Sequence, residues 1–238
     1  MFAMSSRIIR LVDQSFKMNQ KIVLGILWLG FIVYAFFLAP PNQPDTFELI
    51  TKISLGEWQG INPLIISLFN LMGIWPAVYA CVLFADGRGQ RLRAFPFVLG
   101  SFAVGAFSLL PYLIFRNPNP QFSGSKDWLL KIWDSRITAI VLLIGALTLM
   151  IFGFSQGNWQ DFIQQWKSDR FIHVMSLDFC LLSLLFPLLI QDDLQRRGMK
   201  KSLLFTGISA VPLLGPLLYL SLRTHLPDEA TIIVKLPT

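Results

Sequence analysis

A carboxylate lies where the surrounding sequence offers only hydrocarbon. Asp178 falls within Phe171-Ile-His-Val-Met-Ser-Leu-Asp-Phe-Cys-Leu-Leu, about a third of the way into an apolar block. An ionised carboxylate at that depth costs several kcal/mol unless it is paired, protonated or hydrated, so it is a candidate for ion or proton passage. The other reading is a helix-to-helix hydrogen bond that serves packing alone. His173 precedes it by five positions, near the start of the block and on a somewhat different helical face. Asn70, in Leu68-Phe-Asn-Leu-Met-Gly-Ile-Trp-Pro, is the nearest polar counterpart of Asp178 in the first half of the chain. Gly73 and Pro76 beside it can kink a helix and free backbone carbonyls, as transporter sites require. An interhelical hydrogen bond worth about 1 kcal/mol explains Asn70 equally well. These three residues form the candidate intramembrane polar site.

A second set of polar residues recurs. Asp86-Gly-Arg-Gly-Gln-Arg … Tyr112 … Arg116 reads like Asp193-Leu-Gln-Arg-Arg-Gly … Tyr219 … Arg223, at a constant offset of 107 residues. Gly100/Gly207, Ala103/Ala210, Val104/Val211, Leu110/Leu217 and Leu113/Leu220 also match. The simplest reading of each Asp is a polar loop between helices, and of each Arg a snorkelling anchor at an interface.

The elements that must position these groups are apolar helices. Hydrophobic residues make up 54% of the chain and charged residues 14%, with a mean hydropathy of +0.57; soluble domains carry about 25% charge. Six blocks, 22–39, 63–85, 95–115, 137–154, 171–190 and 202–222, are each long enough for a transmembrane helix of about 20 residues. The expected fold is an all-α integral membrane protein of about six transmembrane helices. It divides into a basic segment 1–21, a three-helix unit 22–116, a connector 117–136, a second three-helix unit 137–223 and a tail 224–238. A duplicated odd number of spans places the copies upside down relative to each other, as two inverted repeats. The charges fit that picture: with six spans the two sides hold 11 and 9 Lys/Arg, so the positive-inside rule does not choose between them. A missed or extra span is the other explanation of the same balance.

The connectors carry their own signals. Lys126-Asp-Trp-Leu-Leu-Lys-Ile-Trp-Asp and Asn158-Trp-Gln-Asp-Phe-Ile-Gln-Gln-Trp-Lys read as short helices on the membrane surface. Pro40-Pro41 and Asn117-Pro-Asn-Pro120 mark loops. Pro96, Pro111, Pro187, Pro212 and Pro216 suit bends or a cavity, and Ser101-xxx-Gly105 a close helix approach. Residues 231–235 read as a short extended stretch. The first apolar block is long and lacks an A-x-A site, so it reads as an uncleaved helix rather than a signal peptide. Two histidines, two intramembrane cysteines and the lack of nucleotide-binding or hydrolase motifs point to no metal and no catalytic residues. No segment offers the basic soluble face that nucleic acid would need.

Two resemblances add to this. Leu68-Phe-Asn-Leu-Met-Gly-Ile-Trp-Pro-Ala-Val-Tyr-Ala, Asp86-Gly-Arg and Leu109-Leu-Pro-Tyr-Leu resemble membrane proteins of cyanobacteria and plant plastids that have no assigned role. Ser176-Leu-Asp-Phe … Arg197-Gly-Met … Pro216-Leu-Leu-Tyr-Leu … Arg223 is similar to a three-helix bacterial membrane family of unknown function. The resemblance implies a multi-pass protein of a bacterial plasma or thylakoid membrane. The leading expectation is a non-enzymatic protein that assists assembly, stabilisation or structure of other membrane complexes, such as photosynthetic ones. It would need no cofactor, with pigment or lipid contact as an option, and its partners would be membrane lipids and a larger complex or a second copy. The alternative is a small transporter or channel with Asp178 and Asn70 along its path.

Overall fold

The structure is a computed structural model that describes residues 2–122, 125–200 and 202–227, with the backbone alone over 2–17. The stretch 231–235 lies outside the described residues. The described chain is helical: α1 (Phe2–Val33) ending in a π-turn (Tyr34–Leu38), α2 (Thr46–Leu55), α3 (Pro63–Asp86), α4 (Phe95–Val104), α5 (Ala106–Phe115), α6 (Trp128–Trp133), α7 (Arg136–Gln156), α8 (Trp159–Ser168), α9 (Arg170–Leu185), α10 (Pro187–Arg196), α11 (Leu203–Ser209) and α12 (Leu214–Leu222). Four helical segments are long and apolar enough to cross a membrane: Met18–Leu38, Pro63–Asp86, Arg136–Gln156 and Arg170–Arg196. Their starts are chemically marked. The Asn62 side chain accepts from Leu64 N ahead of Pro63, Ser135 accepts from Ile137 N, and Asp169 accepts from Phe171 N and Ile172 N. The surface helices expected near 126–134 and 158–167 are α6 and α8; α2, a third short helix, had no comparable Trp pattern.

The expectation of six spans is corrected at 95–115 and 202–222. Each of these blocks folds back on itself. Gly105 adopts φ +49°, a conformation that L side chains rarely take, and turns the chain between α4 and α5. Ser108 Oγ then donates to Phe97 O at 2.8 Å, and the Phe97 and Tyr112 rings come within 5.8 Å. Gln90 Nε2 reaches Asn117 O at 2.6 Å, so both feet of the hairpin stand together. In the second half the turn falls at Ala210–Leu213, the Phe205 and Tyr219 rings lie 5.6 Å apart, and Gly215 packs directly on Ile208 O. A ten-residue helix is about 15 Å long, half of what a bilayer crossing needs. Apolar length alone cannot distinguish one straight helix from two half-length antiparallel ones.

The inverted repeat falls with that correction. Each unit has two long helices and one hairpin: α1, α3 and α4–α5 in the first, α7, α9–α10 and α11–α12 in the second. Two crossings bring the chain back to its starting end, so the copies run parallel. Asp86 and Asp193 are consequently neighbours, joined through Arg196, whose Nη1 is 2.6 Å from Asp86 and Nη2 3.6 Å from Asp193. Lys21, loop 87–94, segments 116–122 and 125–136, residues 197–200 and Arg223 share this end of the molecule. The opposite end carries 39–62 and 157–170, tied together by Asn62 Nδ2 to Asn158 O at 2.7 Å and Gln43 Nε2 to Ser168 O at 2.7 Å. The core between the ends is led by Trp75, Tyr79, Tyr112, Phe186 and Tyr219, all fully buried. The break expected at Gly73 and Pro76 does not occur: α3 runs unbroken through both.

Candidate functional site

Asp178 does meet another element deep in the bundle. Its Oδ1 accepts from Ala106 N at 2.9 Å, the first residue of α5, so a side chain on α9 caps the inner turn of the α4–α5 hairpin. Ala106 is fully buried, and its N–H would otherwise be an orphan donor. The partial positive charge of a helix N-terminus also favours a carboxylate there. Gly105 permits the approach: a Cβ at that position would stand 1.7 Å from Asp178 Oδ2.

Beside this contact lies a cavity of about 780 Å³. Its walls come from α1 and the π-turn (Trp28, Ala35, Phe36), α3 (Phe69, Met72, Gly73), the hairpin tip (Ser101 to Phe107) and α9 (Phe171, Val174, Met175). Asp178 and Gly105 stand at its inner end, and Arg170, Asn42 and Thr46 at its outer mouth. Phe36, Phe102 and Val104 line it while remaining at least half exposed, so it opens sideways between α1 and the hairpin. The π-turn, a form of helix common at functional sites, sets Ala35 into the wall and sends Tyr34 to His173. Gly73 leaves open space, with nothing within 4 Å of where a Cβ would be.

The other two members of the expected polar site stand apart. Asn70 turns back on its own helix, donating from Nδ2 to Ile66 O at 2.8 Å, and does not line the cavity. His173 is buried between Tyr34 Oη at 2.7 Å and Trp166 O at 2.8 Å, with the Trp166 ring 4.2 Å away. It pins α1 and α8 to α9.

The recurring residues are neither loop polarity nor snorkelling anchors. In the first unit Asp86 Oδ2 accepts from Tyr112 Oη at 2.7 Å and from Arg116 Nε at 2.8 Å. In the second, Asp193 Oδ2 accepts from Tyr219 Oη at 2.6 Å and from Arg223 Nη1 at 3.0 Å. Each aspartate at the foot of a long helix thus holds the returning arm of its hairpin, which explains the matched spacing. Arg197 doubles the second cluster, bonding Asp193 at 2.9 Å and Asp134 at 2.6 Å. The units are stitched together by Arg196 to Asp86 and Arg116 to Asp192. Both aspartates and Arg196 are wholly or almost wholly buried, and Arg223 is 3% exposed. Burial works against the Arg116 charge, but Asp86 and Asp192 outweigh it and hold the guanidinium above its ordinary range.

Asp192, Asp134 and Arg196 were not singled out in the sequence because they fall outside the repeated pattern, and Arg197 entered only through the Arg197-Gly-Met resemblance, with no partner assigned. Gly105 and Arg170 had a weak signal: a glycine in mid-block and a cation at the first turn of a span. Among the described residues, no group of three or more His, Cys, Asp or Glu could hold a metal ion. No family model, curated protein or solved structure matches this chain.

Proposed function

We propose that this is a non-enzymatic, multi-pass membrane protein that holds a lipophilic guest molecule in the cavity beside the α4–α5 hairpin. The observation that carries the reading is the cavity itself, about 780 Å³ of mostly aromatic and aliphatic wall with a side opening. Ligand sites are typically apolar clefts of roughly 300–1,000 Å³ with a few placed polar groups. Its polar groups are Asp178 at one end, Arg170, Asn42 and Thr46 at the other, too far apart to act together on one bond, and Ser101, whose hydroxyl is spent on Val98 O. Such a protein serves other membrane components by storing or handing over a lipid-like molecule, the form that an accessory role takes here. A second reading, transport, is favoured by one feature: the cavity lies between the two units, and the opposite end is closed by ion pairs that also join those units.

The guest reading is tested by organic extraction of the full-length protein purified from its own membranes, followed by mass spectrometry. A lipophile should co-purify in near-stoichiometric amount. Gly73→Leu, which projects into the open space without meeting backbone, should leave the fold intact and cut that occupancy about tenfold or more. Equal occupancy in both proteins would remove the cavity from consideration.

A further inference from the structure

We infer that the guest is a single-chain acid, with its anionic head on Arg170 and its chain running inward toward the hairpin tip. This rests on the cavity being the binding site and adds the chemistry of what enters it. Arg170 is anchored at the mouth along one edge only. Its backbone N–H donates to Pro41 O at 3.2 Å and its Nε to Pro40 O at 2.9 Å. Among the described residues neither Nη group has a hydrogen-bond partner, and no carboxylate lies within ion-pair distance of them. Asp169, the nearest carboxylate in sequence, is committed through Oδ1 to Phe171 N and Ile172 N. A guanidinium held by Nε presents its two Nη groups as a fork, the shape that receives a carboxylate through two bonds.

The other end of the cavity sets the direction. Asp178 lies eight residues further along α9, about 12 Å deeper. Its Oδ2 is not engaged in any hydrogen bond among the described residues, and the floor of the cavity offers no cationic side chain to hold an anion. Between the two lie Phe171, Val174 and Met175 on α9, faced by Phe69 and Met72 on α3. A cation at the mouth, hydrocarbon along the walls and a carboxyl group at the floor select a molecule with one acidic end and an apolar body. A pocket of this volume takes one drug-sized guest, less than a two-chain phospholipid occupies. The side opening at Phe36 and Phe102 gives the chain a route from the surrounding hydrocarbon.

The test uses the full-length protein in phosphatidylcholine nanodiscs, with brominated dodecanoate and brominated dodecanol as quenchers of tryptophan fluorescence. Trp28 lines the cavity, so its signal is taken as the difference between the protein and its Trp28→Phe variant. Dodecanoate should bind at least about tenfold more tightly than dodecanol, the range that a charge-assisted pair supplies. Arg170→Gln should erase that preference and leave dodecanol unchanged, whereas Arg170→Lys should keep part of it. Equal binding of acid and alcohol, or an unaffected Arg170→Gln, overturns the acidic head while leaving the cavity intact. Quenching that persists in Gly73→Leu, or none with either probe, overturns the cavity and this inference together. Saturable quenching by brominated phosphatidylglycerol and none by dodecanoate overturns the single-chain assignment.

Discussion

Asp193 is the residue whose loss the molecule should tolerate least. It gathers Tyr219, Arg223 and Arg197 around one carboxylate, with no water-facing surface to compensate their charges. Removing one partner of a buried ion network typically costs about 3–5 kcal/mol, because the remaining charges are stranded. Asp193→Ala should therefore fail to fold or lose most of its thermal stability in detergent, while Tyr219→Phe, which deletes one bond to a charged group, should cost about 1.5–3 kcal/mol. Comparable unfolding temperatures for the two variants would contradict a shared carboxylate centre. At the hairpin tip the order of effects is equally specific. Asp178→Asn keeps an oxygen acceptor for Ala106 N and should be tolerated; Asp178→Leu leaves that N–H unpaired and should cost about 1–3 kcal/mol. Gly105→Ala should be worse than Gly73→Ala, since only the first combines a positive φ with a clash against Asp178. Much of this chemistry was legible as residue types: Asp178, and the Asp, Tyr and Arg that recur at 107. That they pair with one another was not, because a carboxylate and a guanidinium 30 positions apart show no local pattern of pairing.

The helices tell a different story about legibility. Helices α3 and α7 begin and end within two residues of the apolar blocks that announce them, and the Trp-rich α6 and α8 lie where their amphipathic patterns place them. The hairpins were missed for a physical reason. Both arms of α4–α5 are apolar throughout apart from Ser101 and Ser108, so no charged residue marks the turn and Gly105 is its main signal. In α11–α12 the turn holds Pro212, a residue equally at home in a bent but continuous helix, and Leu213 takes φ +55° with its side chain fully buried. That is a strained state for a leucine, held by the packing around it. The elements make a direct prediction about accessibility. With Cys81 and Cys180 replaced by Ala, single cysteines at Arg93 and Lys200 should react with an impermeant maleimide from the same face, and cysteines at Gln59 and Gln160 from the other. Opposite labelling of positions 93 and 200 would restore three crossings per unit.

For the whole molecule, the parallel arrangement resolves the charge balance that six spans left undecided. Among the described residues the end opposite Asp86 bears only Lys52, Lys167 and Arg170, while the Asp86 end carries Lys21, three arginines in 88–93, Arg116, Lys126, Lys131, Arg136, Arg196, Arg197, Lys200 and Arg223. Short basic loops stay on the cytoplasmic side, so the ion-pair layer is expected to face the cytoplasm and the cavity mouth the outside. In intact cells the maleimide should then label positions 59 and 160 at once, and positions 93 and 200 only after permeabilisation. The reverse order would mean that the cavity opens inward.

The even number of crossings per unit has a consequence for origin. Inverted repeats require an ancestor able to insert both ways round, or a change of charge after duplication. A segment that leaves the bilayer where it entered needs neither. Two copies of the ancestral gene product could lie side by side in one orientation, each long helix foot presenting its aspartate to the neighbour, and fusion of the genes would preserve that pairing. Arg196 and Asp192 stand where the first half has Gly89 and Ala85, so the bonds they make between the halves have no reciprocal and the partnership is unequal.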